Sequence, residues 1–139
     1  MQSSRVIVVD DEPGYAELIA DRFDRAEGVS VLATVTDPDE VLDYLEDEAS
    51  DVDCIVSDYD MPETDGLELN AEVQEVAPGV EFVLYTAYLD EELAAEAEQG
   101  GVTECFRKDG GRPQFQRLLD TVRAAGGAGG RGTEERGAG

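Results

Sequence analysis

The sequence predicts an α/β domain built on a doubly wound parallel sheet of five strands in the order 2-1-3-4-5, with helices on both faces. Three observations predict it. Short apolar runs alternate along the chain with segments of helical period, the pattern of repeated strand–helix units. The runs give out at short polar stations: Asp10-Asp11 after Val6-Ile7-Val8-Val9, Asp58 after Cys54-Ile55-Val56-Ser57, Thr86 after Phe82-Val83-Leu84-Tyr85, and Lys108 after Cys105-Phe106-Arg107. Right-handed crossovers between such strands favour this order, whose switch point lies between strands 1 and 3. Asp10-Asp11 and Asp58 end those two strands, where an open α/β sheet forms its ligand crevice.

The elements follow in order. The first apolar run leads into a helical segment from about Pro13 to Ala26, with Tyr15, Leu18, Ile19 and Phe23 on one face. Val29 to Val35 is a second strand, diluted by Ser30, Ala33 and Thr34. The second helix has a clear start: Asp37 as N-cap, Pro38 in first place and Glu40 to close a capping box. Val41, Leu42 and Leu45 face inward from it. Cys54 to Ser57 is the third strand, and after the Asp58 loop a third helix carries Leu69, Val73 and Val76 until Pro78-Gly79 stops it. Glu81 to Tyr85 is the fourth strand. A helix from about Asp90 to Gln99 offers only Leu93 and several alanines for packing and ends at Gly100-Gly101, so it is expected to be loosely held. A fifth strand over Glu104 to Arg107 precedes a last helix, Pro113 to Ala125, with Phe115, Leu118, Leu119 and Val122 at helical spacing. Residues 1–125 thus make one domain. From Gly126 to Gly139 the chain has no apolar anchor and is expected to be a disordered glycine-rich tail.

Composition narrows the function. The chain has 139 residues, 34 acidic and 10 basic, for a formal charge of −24. Self-repulsion on that scale opposes the compact state, and at roughly 1 M salt a Debye length of about 3 Å screens most of it. A salt-rich, halophile-type cytoplasm is the expected setting. Direct nucleic-acid binding is disfavoured, because phosphate contacts need clustered Lys and Arg. No apolar run has the length of about 18 residues that a membrane span needs, and the amino end shows no signal-peptide pattern, so a cytoplasmic location is expected. The chain has two cysteines, Cys54 and Cys105, and no His, which argues against zinc or iron ligation and against a disulfide in a reducing compartment.

The four stations point to phosphoryl chemistry. Carboxylates gathered at one rim repel one another and take up protons unless a cation neutralises them. Mg²⁺ suits such a site, since it accepts a few carboxylates, keeps waters and bridges to phosphate oxygens. A carboxylate can also be the nucleophile that forms an aspartyl phosphate, with the Thr86 hydroxyl donating to one phosphoryl oxygen and Lys108 pairing with another.

These residues resemble the receiver domain of two-component response regulators, a flavodoxin-like fold. The match runs in order through Val6-Ile7-Val8-Val9-Asp10-Asp11-Glu12-Pro13, Val56-Ser57-Asp58-Tyr59-Asp60-Met61-Pro62 to Asp65-Gly66, Thr86-Ala87 and Lys108, and covers about residues 5 to 125. The resemblance implies that Asp58 accepts a phosphoryl group from a histidine kinase or phosphotransfer protein. It implies that Asp11 binds Mg²⁺ directly, that Asp10 does so largely through water, and that the backbone carbonyl of Asp60 completes the protein ligands with Asp58. Thr86 and Lys108 would engage the phosphoryl group, and Asp60 and Tyr88 would flank the route of the attacking water. A downstream protein target would be reached through helix 4, strand 5 and helix 5, with no turnover of an external substrate. Such a chain acts by protein contact, either as a stand-alone receiver or as part of a larger sensor kinase.

Two departures from the family pattern stand out. Cys105 occupies the place of the usual Tyr or Phe, and alternation turns the adjacent Phe106 to the opposite face. Asp109 replaces the proline that commonly follows the lysine as a cis residue; a cis non-proline bond costs about 3 kcal/mol, so a trans bond and a rearranged, more flexible loop are expected.

Two rival readings stand beside this one. One is a receiver-like module that docks without phosphate. The other is a phosphatase of the haloacid-dehalogenase type, suggested by Asp58-Tyr59-Asp60; in that class, however, the D-x-D pair ends the first strand.

Overall fold

The computed structural model describes residues 3–48 and 51–129. Five strands alternate with five helices: β1 (Ser4–Val9), α1 (Pro13–Asp24), β2 (Val29–Val35), α2 (Pro38–Glu48), β3 (Cys54–Ser57), α3 (Gly66–Val76), β4 (Glu81–Thr86), α4 (Glu91–Gln99), β5 (Glu104–Arg107) and α5 (Gly111–Gly129). The strands are all parallel and their order is β2-β1-β3-β4-β5, as the sequence predicts.

Strand alternation divides the core in two. Ile7, Val9, Ile55, Phe82 and Leu84 point to one face and pack with Val41 and Leu45 of α2 and Leu69 and Val73 of α3. Val6, Val8, Val56, Val83, Tyr85 and Phe106 point to the other and pack with Ile19 and Phe23 of α1 and Leu118, Leu119 and Val122 of α5. Apolar side chains on both faces explain why the strands read as continuous hydrophobic runs. Phe106 lies on the α1/α5 side while Cys105 packs against the opposite cluster, so no aromatic of β5 takes the place of the family's.

Several local expectations need correction. Leu18 and Val76 are each 45% exposed. The inward stripe of α1 is instead Ala16, Ile19, Ala20 and Phe23, all of them buried. The Asp37 carboxylate caps α2 by accepting from the Asp39 N–H at 3.0 Å, while a reciprocal capping box forms at α3, between Asp65 and Glu68. After Lys108 the chain makes a tight 3-10 turn, Lys108–Gly110, rather than a loose loop. Gly111, at φ +69°, joins that turn to α5 two residues earlier than expected, and the Gln114 side chain accepts from the Arg107 N–H at 2.9 Å. Among the described residues every peptide bond is trans.

α5 also continues past Ala125 to Gly129. A Cβ at Gly126 would lie 2.5 Å from Ser4 Cα, so this glycine belongs to the packed helix. Residues 130–139 of the expected tail lie outside the described residues.

The excess of negative charge acts on this fold as a whole. The melting temperature is expected to rise steeply as KCl is raised from 0.1 M toward multimolar, because the repulsion is screened. Thermal unfolding followed by circular dichroism checks this; a flat salt response would show that the surface charges are not opposing the compact state.

Candidate functional site

β1 and β3 are neighbours and end level, Val9 opposite Ser57. Asp10 and Asp58 therefore leave the sheet side by side. The Asp58 N–H donates to the Val9 carbonyl at 3.0 Å and the Asp10 N–H to the Val35 carbonyl at 3.1 Å, so the ladder runs up to the edge of the site. β4 and β5 end level as well, Thr86 opposite Arg107, which sets Thr86 and Lys108 on the same rim. The structure thus brings together Asp10, Asp11, Asp58, Thr86 and Lys108.

Carboxylate oxygens of Asp10, Asp11 and Asp58 all lie within 4.8 Å of one another. The Asp10 side chain is 1% exposed and that of Asp58 12%. Asp10 Oδ1 accepts from the Glu12 N–H at 3.0 Å, and Asp58 Oδ1 from the Tyr59 N–H at 2.8 Å. The remaining oxygens face Lys108, whose Nζ lies 2.6 Å from Asp10 Oδ2 and 3.4 Å from Asp58 Oδ2. Sequence reasoning gave Lys108 to an incoming phosphoryl group; in the resting site it bridges the two carboxylates. Three carboxylates against one ammonium leave two negative charges, a donor set and balance that fit a small divalent cation with oxygen ligands. Asp60 is exposed in the loop after β3. Tyr88 is exposed too, and its hydroxyl donates to Asp90 at 3.2 Å.

Burial pushes the Asp58 carboxyl above its ordinary value; the charge of Asp10 adds to this, while Lys108, the Tyr59 N–H and the Thr86 hydroxyl act in the opposite sense. Thr86 is itself buried and accepts from the Tyr88 N–H at 3.3 Å. Burial alone would lower the Lys108 ammonium, but its bond to Asp10 and the charges of Asp58 and Asp10 raise it overall. A folded-state value above the unfolded one means that the neutral carboxyl of Asp58 favours folding, an effect present below the unfolded value of 3.8 and lost as pH rises through the folded one. Asp58→Asn, which mimics the neutral form, is therefore expected to melt above the wild type at pH 7 without divalent cations. Calorimetry checks the sign; a lower melting point would mean that the contact with Lys108 outweighs burial.

Two residues named from the sequence contribute in ways that it does not show. Gly66 opens α3 where its N–H donates to the Tyr59 carbonyl at 2.8 Å. A Cβ there would meet Leu84 Cδ2 at 2.6 Å, the Asp58 carbonyl oxygen at 2.7 Å and Tyr59 Cα at 3.0 Å. Only glycine lets the loop carrying Asp58 fold back this closely. Tyr15, expected to be a core-facing residue, has its ring centroid 4.0 Å from Lys108 Nζ; its position four residues after Asp11, in the first turn of α1, is the signal that could have marked it.

The two cysteines lie apart from this chemistry. Both are free thiols. Burial pushes Cys54 up, and burial with the charge of Glu104 pushes Cys105 up to about 11. Among the described residues no helix is long and apolar enough to cross a membrane.

Comparison with known proteins agrees with the geometry. The pattern of the response regulator receiver domain matches residues 6–122. The transcriptional regulatory protein GlrR of Escherichia coli is 34% identical over 117 residues, 84% of this chain and 26% of that protein. The protein-glutamate methylesterase/protein-glutamine glutaminase of Halobacterium salinarum is 33% identical over 110 residues, 78% of this chain and 30% of that protein. The chain thus spans about a quarter to a third of these relatives' length. In fold it is similar to the response regulator domain of Thermotoga maritima CheB, with a TM-score of 0.79 at 22% identity, covering 91% of this chain and 98% of that one. Fold, site and sequence match together place the chain in the response regulator receiver domain family of two-component signalling.

Proposed function

We propose that Asp58 accepts a phosphoryl group from the phosphohistidine of a histidine kinase or phosphotransfer protein, and that the change is passed to a downstream protein. The observation that carries this reading is the position of the Asp58 carboxylate, ringed by Asp10, Asp11 and Lys108 with the Thr86 hydroxyl within bonding reach. An Asp58 oxygen attacks phosphorus, the P–O bond forms as the P–N bond breaks, and the imidazole leaves as it takes up a proton. Mg²⁺ on Asp10, Asp11, Asp58 and the backbone carbonyl of Asp60 would neutralise charge so that one anion can approach another. Lys108 shifts from bridging carboxylates to pairing with a phosphoryl oxygen, and the Thr86 hydroxyl donates to a second.

The downstream surface in this reading is α4, β5 and α5. α4 buries only Leu93 and Ala97, and the loop before it is held by Arg107, which donates to the Leu89 carbonyl at 2.6 Å. A helix with so few apolar contacts is displaced at low cost. The exposed Glu91, Glu92, Glu96 and Glu104 give this face a negative charge that a basic partner surface would complement. The protein works in the cytoplasm and turns over no external substrate.

The test is intact mass after incubation with acetyl phosphate and Mg²⁺ in high KCl. The wild type is expected to gain one phosphoryl group and Asp58→Asn none. An equal gain in both would move the acceptor elsewhere; no gain in either, with the fold verified, would favour a module that docks without phosphate.

A further inference from the structure

Lys108 is the one described side chain that bridges two carboxylates of the acidic cluster, and it reaches them on a long, flexible stem. Nζ is fixed on one side by Asp10 Oδ2 at 2.6 Å and Asp58 Oδ2 at 3.4 Å. On another side lies the Tyr15 ring, its centroid 4.0 Å away. That is a close cation–π contact, at a lysine whose side chain is almost fully buried.

The ring is held in turn. Tyr15 packs with the α1/α5 core, of which Tyr85 is a buried member, and the two hydroxyls lie near each other. Tyr85 meets the Phe115 ring edge-on at 6.4 Å, and Phe115 stacks on Phe23 at 5.5 Å. Tyr15 is therefore anchored to β4, α1 and α5 at one end and presents its face to the ammonium at the other.

We infer that Tyr15 is the positioning residue of the phosphoryl-acceptor site, holding the Lys108 ammonium over Asp58 when its carboxylate partners turn to other ligands. The inference rests on the phosphoacceptor reading above. Once Asp10 and Asp58 engage a cation and a phosphoryl group, the two contacts that now fix Nζ are weakened, and the flexible stem is free to take the ammonium elsewhere. The Tyr15 face is uncharged and does not compete with those ligands. It keeps the ammonium within reach through the step in which charge moves onto phosphorus. Its position on α1 is also independent of the loop that carries Lys108.

The test measures the rate of phosphoryl gain from acetyl phosphate at saturating Mg²⁺ in wild type, Tyr15→Leu, Tyr15→Phe, Lys108→Ala and the double variant Tyr15→Leu/Lys108→Ala. Tyr15→Leu is expected to be slower by roughly tenfold, the size of a partly desolvated cation–π contact. Tyr15→Phe retains the ring face and is expected to stay within about twofold of wild type. The double variant is expected to be no slower than Lys108→Ala, because Tyr15 acts through the lysine. A wild-type rate in Tyr15→Leu, or a Tyr15→Leu loss that adds in full to that of Lys108→Ala, would overturn the inference. Melting curves of the five proteins separate a folding defect from a rate effect. Should Tyr15→Leu not fold, Tyr15→Phe and Tyr15→His decide: both rings present a face to Nζ, and a tenfold loss in each would refute the role. No gain in wild type overturns the phosphoacceptor reading, and this inference with it; a gain there with an unaffected Tyr15→Leu overturns this inference alone.

Discussion

Lys108→Ala is expected to lower the stability of the protein without divalent cations by about 3 kcal/mol, with Mg²⁺ restoring much of the loss. The size follows from burial: the Lys108 side chain is 9% exposed and its partner Asp10 1%, and removing one member of a buried pair typically costs about 3–5 kcal/mol because the other charge is left uncompensated. Here two carboxylates lose their cation together. Asp58, already raised by burial and by Asp10, loses the lysine that opposes the rise. A divalent cation bound to the same oxygens supplies the missing positive charge, so the variant should be stabilised by Mg²⁺ more than the wild type is. The pH dependence provides a second check. The folded-state value of Lys108 lies above its ordinary 10.5, so its contribution is full below the unfolded value and is lost as pH rises through the folded one. Wild type should therefore lose stability in that alkaline range relative to the variant. Urea titrations with and without Mg²⁺ measure both effects; equal responses to Mg²⁺ would show that the ammonium and the metal do not share these carboxylates.

Gly66→Ala is expected to destabilise the fold by about 2 kcal/mol, within the usual cost of overpacking, and to slow phosphoryl acceptance by roughly a hundredfold. The added methyl would lie 2.6 Å from Leu84 Cδ2, a fully buried side chain without room to retreat, and 2.7 Å from the Asp58 carbonyl oxygen. Relief must come from the backbone that carries Asp58. A displacement of about 1 Å at a reacting group costs on the order of a hundredfold in rate. The melting temperature should fall by roughly 5–10 °C. Thermal melts and initial rates of phosphoryl gain decide the matter. Loss of stability with an unchanged rate would mean that the strain is taken up in α3 rather than at Asp58.

Much of this molecule was legible in its sequence because its signals are redundant. Val6 to Val9 and Cys54 to Ser57 are apolar on both faces since helices cover both, and each run stops at the residue that meets the rim. Once the sheet order was fixed by right-handed crossovers, Asp10 and Asp58 could only be neighbours. Helix faces were harder to read. In α1, Leu18 competes with two alanines for the inward stripe, and it is Ala16 and Ala20 that turn to the sheet while Leu18 stays exposed. Asp65-Gly66 also has the pattern of a turn, which masks the capping box that Asp65 makes with Glu68. The resting bridge of Lys108 could not be foreseen, since it spans 98 residues of chain and depends on where a flexible stem comes to lie. The same holds for the ring of Tyr15 beside it.

The ammonium seated between Asp10 and Asp58 also bears on how the protein would live through a change in its surroundings. A cluster of acids that needed an outside metal to stay together would come apart when that metal was withdrawn, and the chain would be lost to aggregation or proteolysis. Here the counter-ion is part of the polypeptide. In the phosphoacceptor reading, a protein starved of magnesium would fall silent yet stay whole, and the same molecules would answer again once the metal returned, with nothing to resynthesise.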